Sequence, residues 1–216
     1  MKNPLVIVLV AAITAAIAML KDNPTPAPFS IKDKKEALFM LAHFVGDLHQ
    51  PLHVESVYLA HDNVPGDSKG RVDPDATHQI DPESVTEGGN LISVRYQCLM
   101  SVGNRPRCLN FHAEWDENPK NLDDAATPEL LTAARSVPPS KGPVEDWPAA
   151  WASDTIVVAH QALDKDTKAF TPTAPEKWTV TFDDRNAYLS SEDTIKLQQL
   201  AKAGARLAEL LNAIWP

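Results

Sequence analysis

The chain has 216 residues, 44% hydrophobic and 23% charged, which suits one globular domain and excludes a collagen, a coiled coil and a wholly disordered chain. Lys and Arg total 20 against 29 Asp and Glu, a net charge of −9, and that excludes a general basic surface of the kind that neutralises many phosphates. A polyanion would have to meet something locally positive, and metal ions are the obvious source.

Eighteen prolines against eight glycines predict long Pro-punctuated connections between regular elements. In chain order, residues 5–20 form an apolar run interrupted only by Thr14. It has two readings: a signal peptide following Lys2, or a core helix, because Ile13, Ile17 and Leu20 recur on one helical face. The run is short for a bilayer span, so no membrane crossing is expected. After the Pro-rich link at residues 22–30, the segment 32–52 carries Ala37, Leu38, Leu41, Phe44, Val45 and Leu48 at helical spacing, and Pro51 is expected to stop it. Residues 55–87 are polar, rich in Asp, Gly and Pro, and without periodicity, which predicts an inserted surface loop.

Residues 90–96 and 107–111 bracket the turn Gly103-Asn104-Arg105-Pro106 and predict a short β-hairpin. Cys98 and Cys108 would face each other near its tip, allowing one local disulfide in an oxidising compartment. A helix is expected from about Asn110 through F-H-A-E-W-D, another over residues 147–163, and a last one capped by Ser190 or Ser191 and running to Ile214. The expected architecture is a single, mainly α domain over residues 1–216 with one small β-hairpin.

Histidines concentrate the chemistry. His43 and Asp47 stand four apart on a predicted helix, so their side chains share a face. His112 and Asp116 repeat that spacing on another helix, and His53 adds an imidazole just beyond Pro51. A lone pair of this kind is usually only a hydrogen bond on a helix surface, but two such pairs favour metal. Imidazole nitrogens with carboxylate oxygens are the ligand mix of zinc with an open, water-bearing position, whereas structural zinc sites favour thiolates. His49 falls on a different side of its helix, and His61, His78 and His160 lack helical carboxylate partners, so these four are not expected to bind metal.

The blocks H-F-V-G-D-L-H-Q-P-L-H at 43–53, G-G-N at 88–90, F-H-A-E-W-D at 111–116, W-A-S-D at 151–154 and Q-L-A-K-A-G-A-R-L-A-E-L-L-N at 199–212 resemble the zinc-dependent single-strand nuclease family, related in fold to zinc-dependent phospholipase C. The resemblance implies a mainly α, phospholipase C/nuclease-like domain. It implies that His53, His112 and Asp116 form one zinc site and that His43 and Asp47 belong to a paired site, with Asp47 bridging two of up to three zincs. It further implies cleavage of single-stranded DNA or RNA and removal of 3′-phosphates from nucleotides, through Lewis-acid polarisation of phosphoryl oxygens and a lowered pKa for water. Zinc would make the site positive within an acidic protein. A secreted or periplasmic monomer is expected.

Three departures stand out. The family's N-terminal tryptophan, nearby histidine and further Asp and His ligands have no counterpart here, so the site keeps one complete three-ligand set and one partial one. The 55–87 segment is longer than the family's link and holds His61, Asp62, Asp67, Asp73, Asp75, His78 and Asp81, either as replacement ligands or as parts of an inserted loop. Glu117 stands where some members place a base-contacting Asn. The alternatives are a phospholipase C-type hydrolase on the same metal chemistry and a non-catalytic remnant in which zinc only staples helices together.

Overall fold

The computed structural model describes residues 4–73, 81–100, 106–119, 122, 126–164, 167–173 and 177–216. Helix α1 (Pro4–Leu20) is apolar on nearly every face because it is a core element: Ile13, Ala15, Ala16, Ile17 and Leu20 are sealed from solvent. Each of the larger three contributes about 1.5–3 kcal/mol by leaving water. The apolar run thus packs as a helix into the core, and no helix among the described residues is long and apolar enough to cross a membrane.

Helix α2 (Lys34–His49) starts at Asp33, whose side chain accepts from the Glu36 amide at 2.8 Å, while Glu36 reaches back to the Lys32 amide at 2.6 Å. The two form a variant of the capping box. Pro51 does not simply end this helix. Gln50 breaks it, and Pro51 opens a separate four-residue helix, α3 (Pro51–Val54), at the first position, where a missing N–H costs nothing.

Strands β1 (Ile92–Met100) and β2 (Pro106–Asn110) pair antiparallel, with Cys98 opposite Cys108 in the backbone register, while the expected turn at residues 103–105 lies outside the described residues. The two cysteine side chains lie outside the described residues. Helix α4 (Phe111–Asp116) follows at once, capped by Asn110, whose side chain accepts from the Ala113 amide. Next come α5 (Pro128–Arg135) and α6 (Trp147–Asp164), then strands β3 (Thr167–Pro172) and β4 (Trp178–Phe182). The last element is the long α7 (Arg185–Ile214).

The mainly α class holds, but the β part is larger than one hairpin. β3 and β4 form a second antiparallel hairpin, and a parallel pairing of β4 with β1 joins the two into one sheet ordered β2-β1-β4-β3. The described parts of the 55–87 segment, residues 55–73 and 81–87, are anchored to the core and the sheet. Leu59, Ser84 and Thr86 are buried, Trp178 Nε1 donates to the Ala60 carbonyl at 2.7 Å, and the Phe170 amide donates to the Lys69 carbonyl at 2.8 Å. A Cβ at Gly70, where φ is +79°, would collide with the Phe170 carbonyl, so glycine permits this close approach.

The C-terminal helix also starts earlier than Ser190. Asp184 is its cap, accepting from the amides of Asn186 and Ala187 at 2.8 and 3.1 Å. Burial of Tyr188 and Glu192 against α4 draws the first turns into the helix, because those contacts exist only with the helix formed.

Two hydrophobic cores result. One joins α1, α2, Trp147 and Trp151 of α6, and Leu210 of α7. The other joins the sheet, Phe111 and Trp115 of α4, and Tyr188 and Ile195 of α7. Helix α7 spans both, and its first half carries a charged network against α4. Arg185 embraces both oxygens of buried Glu114, Lys196 donates to the Glu114 carbonyl at 2.6 Å and stands 2.7 Å from Glu192, and Trp115 Nε1 donates to the Tyr188 hydroxyl at 2.8 Å.

Burial, opposed by Lys196 and reinforced by Glu114, raises the Glu192 carboxyl from its ordinary 4.5 to about 7. Between those values the folded chain keeps a proton that the unfolded chain has released, so this stability is fully present below 4.5 and is lost as pH rises through about 7. Glu192→Gln should remove that loss. Denaturant unfolding of the metal-free protein should show the variant gaining on its parent, on the order of 2–3 kcal/mol, between about pH 4.5 and pH 8; a pH-independent difference would contradict it.

Candidate metal centre

The site grows from the junction of the two cores. In α3, Leu52 is sealed into the sheet-side core and Val54 into the helical one, which fixes the direction of His53 between them. In α4, Phe111 and Trp115 face the sheet-side core, so His112 and Asp116, one position on from each, turn together to the other side. The two short helices thus present three donors to one point. His53 Nε2 lies 3.3 Å from Asp116 Oδ1, His112 Nε2 lies 3.4 Å from Asp116 Oδ2, and the imidazole centroids are 4.7 Å apart. One ligand atom from each residue falls within 4.8 Å of the others, the single such group among the described residues. Two imidazole nitrogens and a carboxylate oxygen at this spacing fit a divalent cation and leave room for further ligands.

The surroundings fix each donor. His112 Nδ1 donates to the Gly88 carbonyl at 2.8 Å, which sets the tautomer and leaves Nε2 as the lone pair for a cation. Gly88, at φ +63°, has its own amide held by Ser56 Oγ at 2.6 Å. Asn90 accepts from Asn110 at 3.2 Å, steadying the cap of α4, and donates to the Glu87 carbonyl at 2.9 Å. The G-G-N block is thus the cradle of the ligand helix. Partial burial alone would raise the Asp116 carboxyl, but hydrogen bonds from His53 and Gln50, with the charges that His112 and His53 carry when protonated, outweigh it and hold the group at about 2. Asp116 is therefore anionic at any ordinary pH.

The other expected ligands line up outward. Asp47 Oδ2 stands 3.9 Å from His53 Nδ1 and 3.3 Å from His43 Nε2. His43 is outermost, its side chain 70% exposed. The structure thus brings His53, His112 and Asp116 into one group and places Asp47 and His43 as a contiguous extension beyond it.

His49 turns away from the three-donor group. It is buried, its Nδ1 donates to the Val45 carbonyl at 2.7 Å, its Nε2 accepts from Arg206 at 2.9 Å, and burial pushes it down to about 4. Arg206 and Lys202 also hold Asp154 at 2.8 and 2.9 Å, which gives the W-A-S-D block its role, and Gln199 donates to the His49 carbonyl at the end of α2. His160 lies 3.4 Å from Glu55. In the inserted segment, His61 pairs with Asp81 at 3.3 Å and Asp67 with Arg71 at 2.9 Å, and neither joins the three-donor group. Asp75 and His78 lie outside the described residues.

Sequence reasoning missed the Gly88 carbonyl and the Gln50 side chain as holders of His112 and Asp116, since neither carries a metal-ligand signature. It also missed a pocket of about 180 Å³ beside Asp116, walled by Pro51, Pro119, Leu200 and Ala203 with Gln50 and Lys196 at its polar edge.

A Cβ added at Gly88 would lie 2.6 Å from the Leu52 carbonyl and 3.4 Å from His112 Nδ1, in a backbone conformation that L residues avoid. Gly88→Ala should therefore destabilise the fold by more than about 1 kcal/mol and weaken metal binding along with it. Thermal unfolding and a metal-binding titration on the same variant check both; an unchanged variant would show that the cradle tolerates a side chain.

No curated protein and no solved structure matches the chain. The model of one family, described as S1/P1 nuclease, matches residues 2–216, which takes in every block that builds the metal centre and its cradle. The chain therefore belongs to the S1/P1 nuclease family, whose members hydrolyse phosphodiester bonds in nucleic acid.

Proposed function

We propose that this protein is a zinc-dependent nuclease acting on single-stranded DNA or RNA, and on 3′-nucleotides, with zinc held by His53, His112 and Asp116. The observation that carries the reading is the convergence of those three donors within 4.8 Å on two short helices whose opposite faces are locked in the core. Zinc suits two imidazoles and one carboxylate better than calcium or magnesium, which prefer all-oxygen shells. When bound, it supplies Lewis-acid polarisation of a phosphoryl oxygen and a lowered pKa for water.

The chain's own residues do the remaining work. His112 stays in one tautomer through Gly88, and Asp116 stays ionised through His53 and Gln50. Asp47 and His43 extend the donor array toward solvent as a partial second site. The pocket beside Asp116 has apolar walls suited to a sugar or a base. A base enters such a pocket only once it is unstacked, and single strands offer that at little cost. The −9 charge then limits affinity for nucleic acid to places where metal reverses the local field. The proposal includes a monomer working in a secreted or periplasmic setting.

The purified chain should bind at least one zinc, cleave single-stranded DNA well ahead of duplex DNA and ahead of phosphatidylcholine, lose activity to a chelator and regain it with added zinc. Asp116→Asn should lower cleavage by at least about 100-fold through the weakened site. Metal analysis finding no zinc even after add-back would sink the reading. Zinc bound with no cleavage would leave a metal that only holds α3 to α4, and preferential turnover of phosphatidylcholine would make the protein a phospholipase.

A further inference from the structure

We propose that Gln50 is a positioning residue that couples the helix carrying His53 to the carboxylate of Asp116. Every polar group of Gln50 is engaged at the junction. Its amide donates to the Asp47 carbonyl at 3.0 Å, and its carbonyl accepts from the His53 amide at 3.1 Å. The side-chain oxygen caps α3 by accepting from the Leu52 amide at 2.5 Å, and the side-chain nitrogen donates to Asp116 Oδ1 at 2.8 Å. The cap is local; the bond to Asp116 crosses 66 residues of sequence and, at 2.8 Å, is shorter than the 3.3 Å contact of His53 Nε2 with the same oxygen.

The amide of Gln50 has one orientation here, because capping α3 requires the oxygen toward Leu52 and so turns the NH₂ toward Asp116. It engages Oδ1 and leaves Oδ2, on the His112 side, for a cation. Asp116 is a half-exposed residue in the last turn of a six-residue helix. Without Gln50 its carboxylate keeps only the longer contacts to the two imidazoles, which are the groups that would turn to a cation. Partners of this kind, one bond behind a ligand, set ligand orientation and thereby metal affinity.

The inference rests on His53, His112 and Asp116 forming the metal site. Two variants separate the cap from the strut. Gln50→Ser keeps an N-capping oxygen for α3 but is too short to reach Asp116, whereas Gln50→Ala removes both. In competition with a chromophoric chelator, both should bind zinc about 10- to 100-fold more weakly than the parent. In denaturant unfolding of the zinc-free proteins, Gln50→Ala, which loses the cap as well as the strut, should lose more stability than Gln50→Ser. In the parent itself, the Gln50 side-chain NH₂ should show slowed hydrogen exchange in ¹⁵N–¹H spectra, and Asp116→Asn should alter its shifts.

Gln50→Ser binding zinc within about twofold of a zinc-binding parent overturns the proposal. If that variant does not fold, freely exchanging Gln50 NH₂ protons in the parent overturn it instead. A parent that binds no zinc removes the metal reading of the site, and this inference with it, which is a distinct result from the other two.

Discussion

Leu52 is sealed into one hydrophobic core and Val54 into the other, so the imidazole between them has no freedom to leave the junction. Helix α3 is far too short to be stable alone. It exists because Pro51 fixes its first dihedral, Gln50 caps it and both cores grip it. His53 thus inherits its position from packing on two sides. Helix α4 repeats the logic in six residues: Phe111 and Trp115 are anchored, and His112 and Asp116 follow from the helical repeat.

Behind α4 lies a charged layer that hydrophobic packing alone would not supply. Glu114 is buried only because Arg185 pairs with it, and Lys196 ties the Glu114 carbonyl to α7. A buried ion pair of this sort adds little net stability over an apolar replacement, yet losing one partner is costly. Its consequence here is directional: it fixes the roll of α4 about its axis, and that roll decides where His112 and Asp116 point. The same helix α7 reaches the end of α2 through Gln199 and Arg206. One long element therefore braces both sides of the metal centre.

Much of this was legible in the residues. The spacings His43 to Asp47 and His112 to Asp116 each gave a pair sharing a helical face, and the pairs are close at 3.3 and 3.4 Å. Buried His49 was separable from the ligands because it falls on another face of the same helix. Less was legible where structure depends on distant partners. The strands at 167–172 and 178–182 are short, and their pairing is set by β1, which lies far away in sequence. The start of α7 was misplaced because Asp184 is a cap as good as Ser190, and burial of Tyr188 chose between them. Residues 55–87 looked like a loop because their anchors are single contacts from Trp178, Phe170 and buried Leu59, which leave no periodic pattern.

The sequence by itself determined the helical class, the candidate donor types and their pairing within each helix, because those follow from residue chemistry and the 3.6-residue repeat. The resemblance already grouped His53 with His112 and Asp116; the tertiary structure alone decided that Gly88 selects the tautomer of His112 and that Gln50 holds Asp116. Each of these is a contact across dozens of residues, made by a backbone carbonyl or a neutral amide with no metal signature of its own. Such contacts are set only when two cores close on either side of a four-residue helix.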